Sequence, residues 1–194
     1  MNNIFTQAIG DVALTFETRK HSFSPTGIDK GTLAMLAVAN LPENLHSSSR
    51  LLDLGCGYGV VGIYAAKLID PQHVVMSDNS KSAVELAQKN AERNGVGGVK
   101  VVQSDGFNSL TDTDFDVILS NPPYHADFAV PKHFIEKGFN RLKVGGRMYM
   151  VTKRKDWYKN KLTAIFGGVK VFEAGEYYVF CAEKRSARYA NKGK

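Results

Sequence analysis

Cysteine is scarce in this 194-residue chain: Cys56 and Cys181 are its two examples, far apart and outside any CxxC pair or Cys/His cluster. Two such residues make no disulfide framework, and both read as buried, reduced, small apolar side chains. The five histidines, His21, His46, His73, His125 and His133, lack metal-ligand spacing, so no metal is expected. Long apolar runs are missing too. The longest, residues 33–39, is far too short to span a bilayer. No basic leader followed by an apolar stretch opens the chain, so a cytoplasmic location is the expectation. Repeats and low-complexity tracts are also absent. Acid is lacking from residues 184–194, where Lys184, Arg185, Arg188, Lys192 and Lys194 supply five of the six net positive charges. A second basic run, Lys153, Arg154, Lys155, Lys159 and Lys161, follows a predicted strand. Such clusters suit a polyphosphate partner, and they equally suit a solvated surface.

What is present reads as an ordinary globular chain, with 43% hydrophobic and 23% charged residues. Its length predicts one domain over 1–194: a hairpin and loop (1–28), a core (29–183) and a basic tail (184–194). The hairpin is predicted over 4–9 and 12–18, about a Gly10-Asp11 turn. Beyond it, short apolar runs alternate with helical patterns. Strands are predicted at 50–54, 73–77, 99–103, 115–120, 146–152, 169–173 and 176–183, with helices at 29–40, 60–69, 80–94, 131–142 and 155–166. Ser80 can cap one helix that Asn94-Gly95 stops, and Pro131 can start another. This alternation implies an α/β fold, a mostly parallel sheet covered on both faces. The Gly175 turn forces one of the last two strands to run antiparallel.

The first sheet strand feeds Asp53-Leu-Gly55-Cys-Gly57-Tyr-Gly59 and then a helix. Alternate glycines permit a sharp turn and close approach to a ligand. The spacing departs from the dinucleotide fingerprint, and Asp53 would repel a pyrophosphate but could hold an amino acid's ammonium. That points to S-adenosylmethionine (SAM) rather than NAD. Asp78-Asn79 end the second strand, where an acid suits ribose hydroxyls, though Asp78 could simply begin a helix. Asp105-Gly106-Phe107 end the third, where the aspartate can accept from an adenine amine and Phe107 can pack on the ring; a plain turn is the alternative.

The fourth strand runs into Asn121-Pro122-Pro123-Tyr124. The exocyclic amine of a base, like a carboxamide nitrogen, is a poor nucleophile because its lone pair is delocalised. Two acceptors on its N–H bonds, the Asn121 side-chain oxygen and the Pro122 carbonyl, would localise that pair. They strengthen as positive charge develops on nitrogen, so they favour the transition state. Tyr124 offers a face on which the target ring can stack.

In order and spacing, DLGCGYG, SDNS, SDGF and NPPY resemble the small-domain class I SAM-dependent methyltransferases. The resemblance covers nearly the whole chain and implies a Rossmann-like seven-stranded sheet with a reversed last strand. FSPTGIDKGT (23–32) and GEYYVFCAEK (175–184) look like the catalytic half of the ribosomal RNA small-subunit methyltransferase C type. That likeness implies methylation of a guanine 2-amino group in ribosomal RNA. It also implies Phe23, Thr26 and Gly27 near the cofactor, and Asn121, Pro122 and Tyr124 on the target amine. Longer members carry a further domain before the catalytic one, and this chain has the hairpin there. Lys153, Arg154, Lys155 and the basic tail are therefore expected to choose the RNA. NPPY also suits a DNA adenine, a protein glutamine or a small-molecule amine, and a non-catalytic SAM- or RNA-binding module is the reading from a different class.

Overall fold

The central strands are apolar on both faces, so both faces must be covered. The computed structural model describes residues 2–123 and 127–190. A hairpin comes first, β1 (Asn2–Ile9) and β2 (Val12–Arg19), paired antiparallel with Ile9 opposite Val12. Helix α1 (Lys30–Ala39) and the single turn α2 (Leu41–Asn44) follow. Next come β3 (Leu51–Leu54), α3 (Val60–Ala66), β4 (Val74–Asp78), α4 (Lys81–Arg93) and β5 (Lys100–Gln103). The chain continues through β6 (Phe115–Ser120), α5 (Ala129–Arg141), β7 (Leu142–Thr152), α6 (Lys155–Phe166), β8 (Lys170–Ala174) and β9 (Tyr177–Glu183).

Seven strands form one sheet in the order β5-β4-β3-β6-β7-β9-β8. Pairing is parallel from β5 to β7, whereas β9 runs antiparallel to both β7 and β8. The fold is the α/β sheet with a reversed last strand expected from the sequence. Side-chain alternation builds two cores. Leu51, Met76, Val117 and Leu119 face α1, α3, α4 and the hairpin, while Leu52, Leu54, Val75 and Ile118 face α5 and α6. From β3 the chain winds outward to β5, then returns to β6 on the other side of β3. Connections leaving β3 and β6 therefore diverge, opening a crevice at the carboxyl ends of these strands.

Several boundaries differ from those predicted by the sequence, and three of the differences have a clear physical reason. Helix α5 begins at Ala129, two residues before Pro131, which sits in the first turn where its missing N–H costs nothing. Strand β7 starts at Leu142, four residues early, with a register shift opposite Phe115 and Val117. There Gly146 passes so close that a Cβ would lie 2.9 Å from the Phe115 carbonyl, and the Gly-Gly pair looked like a turn in sequence. Asn40, left-handed at φ 42°, breaks α1 and starts the unpredicted α2. Over its described residues, through Ala190, the basic tail packs on the core, while Lys192 and Lys194 lie outside the described residues. Lys184 is buried with its Nζ donating to the Leu142 carbonyl (2.7 Å), and the Tyr189 hydroxyl donates to the Glu136 carbonyl (2.9 Å). Among the described residues no helix is long and apolar enough to cross a membrane.

Candidate active site

The loop after β3 is pinned from below. The N–H groups of Gly55 and Cys56 both donate to the Ser77 carbonyl on β4, at 2.8 and 2.9 Å. Gly57 lies at φ +55°, and a Cβ there would meet nothing within 4 Å, so its outer face is open. Its N–H donates to Asp78 Oδ2 (2.9 Å), while Asp78 Oδ1 accepts from Ser80 N–H (2.9 Å). Each carboxylate oxygen retains a second lone pair for a ligand hydroxyl. Gly59 faces inward instead. A Cβ there would lie 2.9 Å from Ile63 Cδ1, so the glycine lets the start of α3 pack closely.

Asp53 lies beneath α3, 3% exposed, with Oδ2 accepting from the Gly62 N–H (2.9 Å). Burial pushes its carboxyl up to about 7, the Gly62 bond opposes that rise, and the Asp78 charge adds to it. A cation entering beside Asp53 would reverse the effect by favouring the carboxylate.

Ser120 Oγ donates to the Leu54 carbonyl (2.8 Å) and ties the end of β6 to β3. The next residue, Asn121, donates from Nδ2 to Asp29 Oδ2 (3.0 Å) and Thr32 Oγ1 (2.9 Å). A carboxylate only accepts, so the amide nitrogen must face Asp29 and the oxygen is the free end. Asn121 Oδ1 and Ser77 Oγ are the buried side-chain polar atoms without a hydrogen-bond partner among the described residues. Both residues line the same cavity. Such orphans cost roughly 1–3 kcal/mol each, a cost that a bound polar ligand removes.

That cavity holds about 420 Å³ in the crevice. Of the residues singled out from sequence, Phe23, Asp53, Gly55, Gly57, Asp78, Asn79, Asp105, Gly106 and Asn121 line it. Thr26, Gly27, Gly59, Phe107 and Pro122 do not, and Tyr124 lies outside the described residues. Gly27 is nonetheless close, since its carbonyl accepts from the Tyr58 hydroxyl (3.3 Å), holding the FSPTG loop over the glycine loop. Phe107 is a correction. Gly106 turns left-handed at φ +55°, and Phe107 enters the core with Leu110 and Phe115 rather than the cavity. The apolar walls are instead Val130 and Phe134 of α5. Asp29, Thr32 and Ser77 were missed. The Asp29-x-x-Thr32 spacing signals a helix cap, which it is, and gives no hint of the second contact to Asn121.

The basic run is only partly available to a partner. Lys153 pairs with Glu176 (2.8 Å) and Lys155 with Glu173 (2.6 Å), both acids of the β8–β9 hairpin. Arg154 instead lies over the Phe128 ring, 4.9 Å from its centroid.

The methyltransferase small domain family model matches residues 13–181. The chain is 33% identical over 175 residues to the uncharacterized protein YbxB of Bacillus subtilis, covering 88% of this chain and 86% of that one. It is 35% identical to ribosomal RNA large subunit methyltransferase G of Pseudomonas putida, covering 89% of this chain and 47% of the relative. Among solved structures it resembles the T. thermophilus 16S rRNA N2 G1207 methyltransferase (RsmC), determined with AdoMet and guanosine. There the TM-score is 0.84 and identity 30%, over 95% of this chain and 51% of that one. The chain thus spans about half the length of these ribosomal RNA enzymes. With a glycine loop, three acid-bearing strand ends and an Asn-Pro-Pro corner on one reversed-edge sheet, the chain belongs to the methyltransferase small domain family.

Proposed function

We propose that this protein is a SAM-dependent N-methyltransferase of ribosomal RNA whose target is the exocyclic amine of a base, the guanine 2-amino group being favoured. The carrying observation is Asn121, whose amide nitrogen is tied by Asp29 and Thr32 while its buried oxygen has no partner among the described residues. An acceptor fixed in this way is what a delocalised amine needs. The relatives named for ribosomal RNA, and the neighbour solved with AdoMet and guanosine, support this substrate class.

The cavity suits SAM, which when bound supplies a methyl group on a sulfonium sulfur. Asp53 would hold the ammonium of its amino-acid end, Gly55 and Gly57 would let the chain approach, and Asp78 with Asn79 would take the ribose hydroxyls. Asp105 and Gly106 would border the adenine, with Val130 and Phe134 as apolar walls in place of Phe107. Asn121 and the Pro122 carbonyl would accept from the target N–H groups, and Tyr124 would stack on the base. These contacts strengthen as nitrogen gains positive charge. The N–C bond would form as the S–C bond breaks to leave a neutral thioether, and the methylated nitrogen, now acidic, would release its extra proton to water without a strong base. Orientation supplies much of the remaining acceleration.

Incubation with methyl-labelled SAM and bulk RNA, DNA or protein tests the reading, using wild type and Asn121→Ala. Label should enter RNA with the wild type alone, falling at least about a hundredfold in the variant, and mass spectrometry should place it on guanine. Label in protein or DNA instead would overturn the substrate, and equal labelling by the variant would remove Asn121 from the chemistry.

A further inference from the structure

The rings of Phe128 and Trp157 stack, with centroids 4.5 Å apart and planes 24° from parallel. The Arg154 guanidinium covers Phe128 at 4.9 Å, and Trp157 meets Tyr158 edge-on at 5.2 Å. Phe128 is exposed and Trp157 half-buried. Unlike Lys153 and Lys155, Arg154 has no carboxylate within ion-pair distance among the described residues. A planar cation on exposed rings offers both a surface for a π-system and a charge for a phosphate.

Its place in the fold connects this column to the cavity. Phe128 immediately precedes α5, whose Val130 and Phe134 line the cavity wall. Arg154 follows β7, where Met150 pairs with Ser120, the neighbour of Asn121. Four residues span at most about 13 Å even when fully extended, so the column stands within a nucleotide or two of Asn121.

We infer that the Trp157–Phe128–Arg154 column is a stacking site for an unpaired nucleobase flanking the methylated one. That base lies on the guanidinium plane and extends the column, while its phosphate is attracted by the Arg154 charge. The site requires a single-stranded or looped RNA, because a base inside a duplex has both faces covered by its stacked neighbours. This inference rests on the RNA substrate proposed above.

Trp157 is the single tryptophan of the chain, so its fluorescence reports on the column directly. The full chain would be titrated with a short single-stranded RNA of mixed sequence, and with inorganic polyphosphate as a base-free polyanion. RNA should change the Trp157 emission and polyphosphate should not. Phe128→Leu and Arg154→Ala should each raise the KM for RNA about tenfold, the effect of losing one stacked base, with kcat and calorimetric SAM affinity unchanged. Arg154→Lys keeps the charge and loses the plane, so it should not restore KM. Equal response to polyphosphate, full rescue by lysine, or an unchanged KM in Phe128→Leu would each overturn the inference. RNA-dependent emission change without RNA methylation would leave the column standing and remove the proposed activity instead.

Discussion

Asp29 uses one oxygen twice: Oδ2 caps α1 through the Thr32 N–H (2.9 Å) and holds the Asn121 amide (3.0 Å). An asparagine in its place would cap as well as aspartate, but its own amide no longer dictates which end of Asn121 faces it. Asp29→Asn should therefore leave the melting temperature nearly unchanged while kcat falls about tenfold, some 1.4 kcal/mol of transition-state stabilisation. Steady-state kinetics checks this, and an unchanged kcat would leave Thr32 as the sole guide of the amide. Asp53 shows the opposite balance, a carboxyl that costs stability. Its folded pKa of about 7 stands above the ordinary 3.8, so between these values the unfolded chain has released a proton that the folded chain keeps. Stability from this group is thus present at low pH and lost as pH rises toward 7, by at most roughly 4 kcal/mol. Asp53→Asn should gain stability over wild type near pH 8 and keep well under half of that gain near pH 5, in denaturant melts without SAM. The same change should weaken SAM binding in calorimetry. A constant difference at the two pH values would show that Asp53 is not held up by burial. Asp53, Asp78 and Asn121 could be placed in one crevice from sequence because each stands at or beside a strand's carboxyl end, the edge where an open α/β sheet takes ligands. Ser77 was not, since a serine inside an apolar strand gives no sign that its hydroxyl will lack a partner. Phe107 misled because an aromatic beside a ligand motif and one entering the core look alike in sequence.

The sheet was readable because the parallel strands are short apolar runs that alternate with helical patterns, and those signals are local. The docking of the hairpin was not, since it depends on side chains more than seventy positions away. Asn90 accepts from the Glu17 N–H (2.8 Å) and donates to the carbonyls of Glu17 (2.9 Å) and Tyr58 (3.0 Å). One helical turn later, Asn94 accepts from the Thr15 N–H (3.0 Å) and donates to its carbonyl (2.8 Å). Two amides spaced by one turn thus match alternate residues of β2 and stand in for a neighbouring strand. In sequence Asn94 reads only as the stop of α4, and nothing in the pattern marks Asn90 as a buried contact. The carboxylate of Glu17, bonded to Lys89 and Arg93, is held below its ordinary pKa and adds to the attachment. Asn90→Ala leaves three buried backbone groups unpaired and should cost about 3 kcal/mol. Asn94→Ala should cost less, about 1 kcal/mol. Hydrogen exchange at the Thr15 and Glu17 amides should rise well before the β3–β6 amides change. Uniform acceleration across both sheets would mean that the hairpin and core unfold as one unit.

Across the whole molecule, net charge is a poor guide to the surface an RNA would meet. The +6 balance counts Lys184, which is buried under the Phe139 ring, and Lys153 and Lys155, which are bonded to the β8–β9 hairpin. The sequence showed the basic run but not its partners, because Glu173 and Glu176 come into reach only when the final hairpin folds beside α6. Half-exposed ion pairs of this kind stabilise little, so removing the acids should leave the melting temperature nearly unchanged. Their effect on a polyanion is larger, since each lysine held by a glutamate is withheld from a phosphate. The Glu173→Gln, Glu176→Gln double variant should therefore bind single-stranded RNA more tightly. The slope of log affinity against log salt should steepen by about 1.4, that is about 0.7 for each newly neutralised phosphate. Filter binding across a salt series measures it. A slope equal to wild type would show that Lys153 and Lys155 face away from the bound strand, leaving the Arg154 column as the point of contact on this rim.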